Sequence, residues 1–240
     1  MYEKYADATG KCRGTEDGVM PSTARRTGRP PRTSRAEILA AAQRLIDRDG
    51  WQQLTIRRLA AETGTAATTL YHHVRDREDL LIQLLDHYAE AIERPALPDN
   101  PRQRIRTAAT TMRDALAAAP WIVEILTADD LLGAGALWMV EAMVSGALDA
   151  GCTEDEAVRL YRSIWYYTVG EILVRTRAGQ RRERTDPIFR DAVLHSRTTE
   201  SEWPRLAALA DRWPELAARD TYADGLRALV DGLLPPRPAD

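Results

Sequence analysis

Residues 55–74 read Thr-Ile-Arg-Arg-Leu-Ala-Ala-Glu-Thr-Gly-Thr-Ala-Ala-Thr-Thr-Leu-Tyr-His-His-Val. The stretch holds two short helical segments joined across Gly64, each opened by a threonine able to cap it, Thr55 and Thr65. Leu59, Ala60 and Leu70 fall on the inner faces, while the second segment turns small and polar residues outward. Helix, glycine-containing turn, helix is the layout in which the second helix enters a DNA major groove. The stretch therefore points to a DNA-binding regulator.

Upstream, Ser34 can cap a helix with Ile38, Leu39, Ala42, Leu45 and Ile46 on one face, stopped at Gly50. Thr55 opens a second helix to Thr63 and Thr65 a short third. A fourth runs from Arg77 to about Arg94 with Leu80, Leu81, Leu84, Leu85 and Tyr88 inside. Pro95 to Pro101 breaks it and marks a border between two domains. Beyond the border, Asn100 caps a helix from Pro101 to Ala119, followed by the apolar stretch Trp121 to Leu126. Ala134 to Ala150 forms another helix closed by Gly151, and Thr153 with Glu156 makes a capping box for a long helix to about Arg177. Residues 179–202 read as a polar, irregular loop. Short helices around Arg205 and Glu215 lead to a last one, Tyr222 to Leu234, ended by Pro235-Pro236. No strand-like alternation occurs, so the expected fold is all-α. The expected domains are a disordered basic arm (1–33, with Met20 a candidate start), a three-helix DNA-binding domain with its linker helix (34–93) and a larger helical domain (100–236).

Charge agrees with this division. The net charge of −3 combines +6 over residues 21–75, with ten arginines against four acids, and −8 over residues 76–240, with 20 basic and 28 acidic residues. A basic segment on an acidic body suits a protein that touches nucleic acid with one end. Arg25-Arg26-Thr27-Gly28-Arg29-Pro30-Pro31-Arg32 is similar to the Gly-Arg-Pro core of a minor-groove hook; the alternative is a solvated leader that adds phosphate attraction only. The two cysteines, Cys12 and Cys152, form no metal-like cluster, and a reducing, cytoplasmic setting is expected, with no metal or other cofactor. No secretory signal is visible, and the apolar stretch Leu131 to Val140 is far short of the ~20 residues a membrane span needs. Gly-x-Ser-x-Gly, P-loop and HExxH motifs are absent, and Gly133-Ala134-Gly135 lacks the third glycine of a dinucleotide fingerprint, which argues against an enzyme. An architectural or non-specific DNA binder without a ligand switch is one alternative, and a transcriptional activator of the same fold is another. Abundant Arg and Ala with only two lysines suggests a GC-rich bacterial genome.

Residues 34–93 resemble the tetracycline-repressor (TetR) family of bacterial regulators. The likeness rests on the first helix ending Asp49-Gly50, the run Leu54-Thr55-Ile56-Arg57-Arg58-Leu59-Ala60 to Gly64, and Thr69-Leu70-Tyr71-His72-His73-Val74 followed by Arg75-Asp76-Arg77-Glu78-Asp79-Leu80-Leu81. Tyr166-Tyr167-Thr168-Val169-Gly170 is similar to a segment of the tetracycline repressor's own subgroup. The resemblance implies a homodimer whose third helices enter successive major grooves of a near-palindromic double-stranded operator, most often to repress. In that setting Thr65, Thr68 and Thr69 can bond phosphates or base edges, and Ala66 and Ala67 permit close approach. Arg57 is placed for a guanine or a phosphate, and Tyr71 and His72 for phosphates. Arg35, Thr55 and Arg77, with the amide end of the fourth helix, join the set. His73 either contacts DNA or packs beneath the motif.

The resemblance also implies a small-molecule pocket and a dimer interface in the C-terminal helices. Met112, Trp121, Ile125, Leu126, Trp138, Met139, Met143, Trp165 and Tyr166 are pocket candidates or else core, and five tryptophans against a single phenylalanine favour an apolar or aromatic effector. Thr168 and Glu171 are candidates to orient a polar group of that effector. By alignment, Glu93 and Leu126 stand where the tetracycline repressor uses histidines for drug and magnesium, so a tetracycline–magnesium site is not expected; His87 and His195 read as isolated surface residues. Val158, Tyr161, Trp165, Thr168 and Ile172 form one stripe, and Tyr222, Leu226, Leu229 and Leu233 another. Paired across two subunits they would make a four-helix bundle; internal packing is the alternative.

Overall fold

The structure is a computed structural model that describes residues 34–128, 133–184 and 202–236. The arginine arm, Cys12, His195 and most of the expected 179–202 loop lie outside the described residues. All described elements are helical: α1 (Arg35–Asp49), α2 (Ile56–Thr63), α3 (Ala67–Leu70), α4 (Arg77–Glu90), α5 (Pro101–Ala118), α6 (Pro120–Ala128), α7 (Leu137–Asp149), α8 (Glu154–Arg184), α9 (Pro204–Ala207), α10 (Trp213–Ala218) and α11 (Tyr222–Leu233). Single 3-10 turns stand before α2, α7 and α10.

Helix starts are fixed by short polar side chains that satisfy the first unpaired amides. Ser34 and Glu37 form a reciprocal capping box at α1, and Thr153 and Glu156 another at α8. Thr55 accepts from the Arg58 amide (3.2 Å), Asp76 from Asp79 (2.8 Å) and Asn100 from Gln103 (3.1 Å). The helix-turn-helix is closed at Gly64, left-handed at φ 65°. There the Gly64 amide donates to Ala61 and the Thr65 amide to Ala60, the double bond of a Schellman closure. Thr65 is thereby spent on ending α2, and its hydroxyl lies 2.9 Å from that of Thr63. The expectation that Thr65 caps the next helix is therefore wrong. Ala66 occupies that position, with no side-chain cap.

Other bounds shift by a few residues. α4 ends at Glu90 rather than Arg94, and α8 continues to Arg184 rather than Arg177. α1, α2, α3 and α4 bury Ile38, Leu45, Leu59, Leu70, Leu80, Leu81 and Leu84 in a small core, while Ile105, Met112, Ile125, Met143, Leu160 and Ile164 hold the larger helical domain. α5 and α7 approach closely at Gly146, where a Cβ would stand 2.8 Å from Ile105 Cγ1. Arg102, almost fully buried, ties α5 to the chain end through Asp231 (3.0 Å) and the Pro235 carbonyl (2.5 Å).

The two domains meet directly. Trp51 Nε1 and Gln52 Nε2 both donate to Glu124 on α6, at 2.8 and 3.1 Å. The Gly133–Gly135 turn lies on the C-terminal half of α4, with the Gly135 amide 3.1 Å from Asp86 Oδ1. These glycines, a chance match to a nucleotide motif by sequence, are required by that approach: a Cβ at Gly135 would sit 2.8 Å from that of Ala89.

Candidate DNA-binding surface and effector cavity

On the reading head, Arg57, Ala66, Thr68, Tyr71, His72 and His73 are exposed, and Thr65, Ala67 and Thr69 are half-buried around them. His73 stands at the surface, which removes the alternative that it packs beneath the motif; its carbonyl accepts from Gln83 Nε2 (3.0 Å). Thr55 is exposed with its hydroxyl turned to the Arg58 amide, and Arg35 donates to Gln83 Oε1 (2.9 Å).

Most arginines of the head are internally compensated. Arg44 and Arg48 pair with Glu62 at 3.3 and 3.1 Å, and their hydrogen bonds hold its carboxyl below the usual carboxylate range. Arg58 pairs with Asp49 at 2.5 Å and Arg75 with Asp79 at 3.6 Å. Arg57 has no such partner among the described residues, which leaves its charge available to a phosphate or a base edge.

Arg77 departs from the sequence expectation. Its Nε donates to the Leu54 carbonyl (2.9 Å), its Nη2 to the Trp51 carbonyl (3.2 Å), and its guanidinium stands 5.3 Å over the Trp51 ring. The side chain props the turn between α1 and α2 from inside, and only the amide end of α4 remains to meet a phosphate. Nothing local could have revealed this, since the partner carbonyls lie 23 and 26 residues earlier.

α4 and four helices of the larger domain, α5 to α8, line a partly open cavity of about 920 Å³. Of the sequence candidates, Met112, Leu126, Met139 and Trp165 line it. Leu85 and Tyr88 of α4, Ile92 just beyond its end, Leu116 of α5, Ile122 of α6 and Tyr161 of α8 line it as well. The α4 contribution was visible as the continuation of that helix's apolar face beyond Leu84. Burial raises the Tyr88 phenol, helped by the Asp47 carboxylate, and burial raises that of Tyr161 against the opposing Arg162 charge, so both stay neutral. Neither hydroxyl has a hydrogen-bond partner among the described residues. Glu93, Asp114, Thr111 and Arg162 add polar groups.

The other pocket candidates are placed elsewhere. Ile125 and Met143 are fully buried core, and Trp121 meets Tyr88 edge-on with ring centroids 5.2 Å apart. Trp138 lines a separate groove beside residues 94–99, with the Arg94 guanidinium 5.6 Å over its ring. Tyr166 points outward, 57% exposed. Thr168 is fully buried against the Tyr222 hydroxyl (2.8 Å), and Glu171 neutralises Arg113 and Arg175. Both are consumed by internal bonds and do not line the cavity.

The expected dimer stripes also turn inward. Ile172, Tyr222 and Leu226 are buried within one chain, Tyr161 and Trp165 face the cavity, and Leu229 and Leu233 are half-buried. Only Val158 of that set is exposed. The outward stripe of α8 steps by four residues through Val158, Arg162, Tyr166, Gly170 and Val174. It shares Val158 with the expected stripe and then diverges by one residue, about 100° around a helix, from Tyr161–Trp165 to Arg162–Tyr166.

Among the described residues, no helix is long and apolar enough to cross a membrane, and no group of His, Cys, Asp or Glu could hold a metal ion.

Residues 38–84 match the family described as bacterial regulatory proteins, tetR family, and residues 94–235 match the tetracyclin repressor-like C-terminal domain. The HTH-type transcriptional repressor DrrR1 of Streptomyces coeruleorubidus is 29% identical over 228 residues, covering 90% of this chain and 83% of its own. The class A tetracycline repressor protein from transposon 1721, from Escherichia coli, is 28% identical over 203 residues, covering 82% and 88%. The crystal structure of the TetR family protein ActR from Streptomyces coelicolor, in complex with actinorhodin, shares the fold with TM-score 0.60 at 22% identity over 83% of this chain and 96% of that one. The chain belongs to the TetR family of bacterial transcriptional regulators.

Proposed function

We propose that the protein is a ligand-controlled repressor. It grips a near-palindromic operator as a homodimer and releases it when a small apolar or aromatic molecule enters the cavity. One observation carries this reading: α4 belongs to both halves. Its first part buries Leu80, Leu81 and Leu84 beneath the reading head, and its last part lines the cavity with Leu85 and Tyr88. A molecule that displaces the last part shifts the head at the other end, so occupancy and DNA affinity are thermodynamically linked.

The surroundings agree. The cavity size suits a drug-sized molecule, its walls are apolar and aromatic, and two unpartnered phenols offer hydrogen bonds. DrrR1 is named a repressor, and ActR was captured with actinorhodin. Arg57, Thr68, Tyr71, His72 and His73 are the exposed groups on the head that would meet the operator. The outward α8 stripe around Tyr166 and Val174 is the exposed face that would take a second copy.

The test is a binding titration on the DNA upstream of the protein's own gene, with a scrambled duplex and the Arg57→Ala/Tyr71→Ala variant as controls. Tight binding to the first duplex alone, lost in the variant, is the expected result. Equal binding to both duplexes would instead indicate an architectural protein without sequence preference.

A further inference from the structure

Two walls of the cavity reach the reading head by separate routes, and both end on Trp51. α4 lines the cavity with Tyr88 and begins at Arg77, whose guanidinium covers the Trp51 ring and holds the carbonyls of Trp51 and Leu54. α6 lines it with Ile122 and Leu126. Between them, Glu124 Oε2 accepts from Trp51 Nε1 at 2.8 Å and Gln52 Nε2 at 3.1 Å. Trp51 is only 9% exposed. Leu54 immediately precedes Thr55, the cap of α2, so whatever moves Trp51 moves the start of the helix that carries Arg57.

We propose that Glu124 is a positioning residue for DNA recognition, acting through the indole of Trp51 to set the reading head against α6. A charge-assisted bond to a nearly buried indole is short and directional. A shift of α6 by a molecule in the cavity is then passed to the head rather than absorbed at the domain boundary. This inference rests on the operator-binding reading above.

The experiment compares the full-length protein with Glu124→Gln, Glu124→Ala, Trp51→Phe and the double variant Trp51→Phe/Glu124→Ala. Each is titrated by fluorescence anisotropy on the wild-type protein's preferred duplex, obtained by in vitro selection, and on a scrambled duplex. Stoichiometric titration first gives the active fraction, so that every Kd refers to folded molecules. Losing a hydrogen bond to a charged acceptor predicts that Glu124→Ala and Trp51→Phe each weaken specific binding by about tenfold. The double variant should be no weaker than either single one, Glu124→Gln should recover most of the affinity, and scrambled-duplex binding should not change. A merely structural contact would lower the active fraction and leave Kd alone, and that result overturns the proposal. Losses that multiply in the double variant overturn it too. If selection on the wild-type protein yields no preferred duplex, the operator-binding reading fails and this inference fails with it.

Discussion

The hydroxyl of Tyr222 lies 2.8 Å from that of Thr168 and 3.3 Å from the Ala109 carbonyl, so one buried phenol ties α11 to both α8 and α5. The Tyr167 ring stacks on it with centroids 5.2 Å apart, and the Arg113 guanidinium stands at 5.2 Å from its ring. Burial pushes the Tyr222 phenol up to about 12, against the lowering effect of its bond to Thr168. An unfolded chain releases this proton near pH 10 while the folded chain keeps it, so the contribution is fully present below pH ~10 and is lost as pH rises toward ~12. It amounts to roughly 2–3 kcal/mol. Tyr222→Phe should lower stability at pH 7 by about 1–2 kcal/mol, through the lost bonds, and should flatten the decline between pH 10 and 12. Urea denaturation at pH 7 and across pH 10–12 checks both, and parallel pH dependences for the two proteins would refute the assignment.

Arg77→Ala should act on the fold before it acts on DNA. It leaves the Leu54 carbonyl without its donor, leaves the Trp51 carbonyl with the Leu54 amide alone, and uncovers the Trp51 ring, at an expected cost of ~2 kcal/mol. Calorimetry should show a lower Tm in the absence of DNA, with the salt dependence of operator binding retained by the folded fraction. A variant with unchanged Tm and a shallower salt slope would return Arg77 to the phosphate contacts.

The parts of this molecule that were legible in the sequence are those decided within a few residues. Ser34, Thr55, Asn100 and Thr153 cap helices through bonds to residues three positions on, and Gly64 closes α2 through a backbone angle that glycine adopts freely. The phase of α8 was not legible, because Tyr161, Trp165, Tyr166 and Tyr167 put aromatic rings on more than one side of the helix. Periodicity defines a stripe without saying whether its partner is the same chain, a ligand or a second copy. Thr168 and Glu171 were misassigned for a related reason: the residues that absorb them, Tyr222, Arg113 and Arg175, come from three different helices or turns of a helix.

Gly135→Ala tests the contact between the two domains. The added methyl would stand 2.8 Å from the Ala89 Cβ, closer than Cβ atoms pack, and a tight 3.3 Å from the Asp86 carbonyl. Displacing the turn from α4 should cost about 1–3 kcal/mol. Ala89→Gly removes the main obstacle, and the double variant should be less destabilised than the sum of the singles, although glycine in a helix itself costs up to ~1 kcal/mol. Additive losses would place the effect elsewhere than at this contact.

The outward stripe of α8 gives the sharpest test of assembly. Tyr166 and Val174 are 57% and 65% exposed in the single chain, whereas Leu226, expected from periodicity at the same interface, is 1% exposed. A second copy on this face would bury the first two, and arginines there would place unpaired like charges across a symmetric contact. Tyr166→Arg/Val174→Arg should keep its helical circular dichroism and a cooperative thermal transition, lowered only by the lost partner, while sedimentation shows dimerisation weakened by ~100-fold or more. Operator affinity should fall with it, because in the proposed assembly each subunit would read only half of a near-palindrome. Leu226→Arg should instead unfold the larger domain, since its charge would be buried inside one chain. A Tyr166→Arg/Val174→Arg protein that remains dimeric would show that the two copies meet on another face.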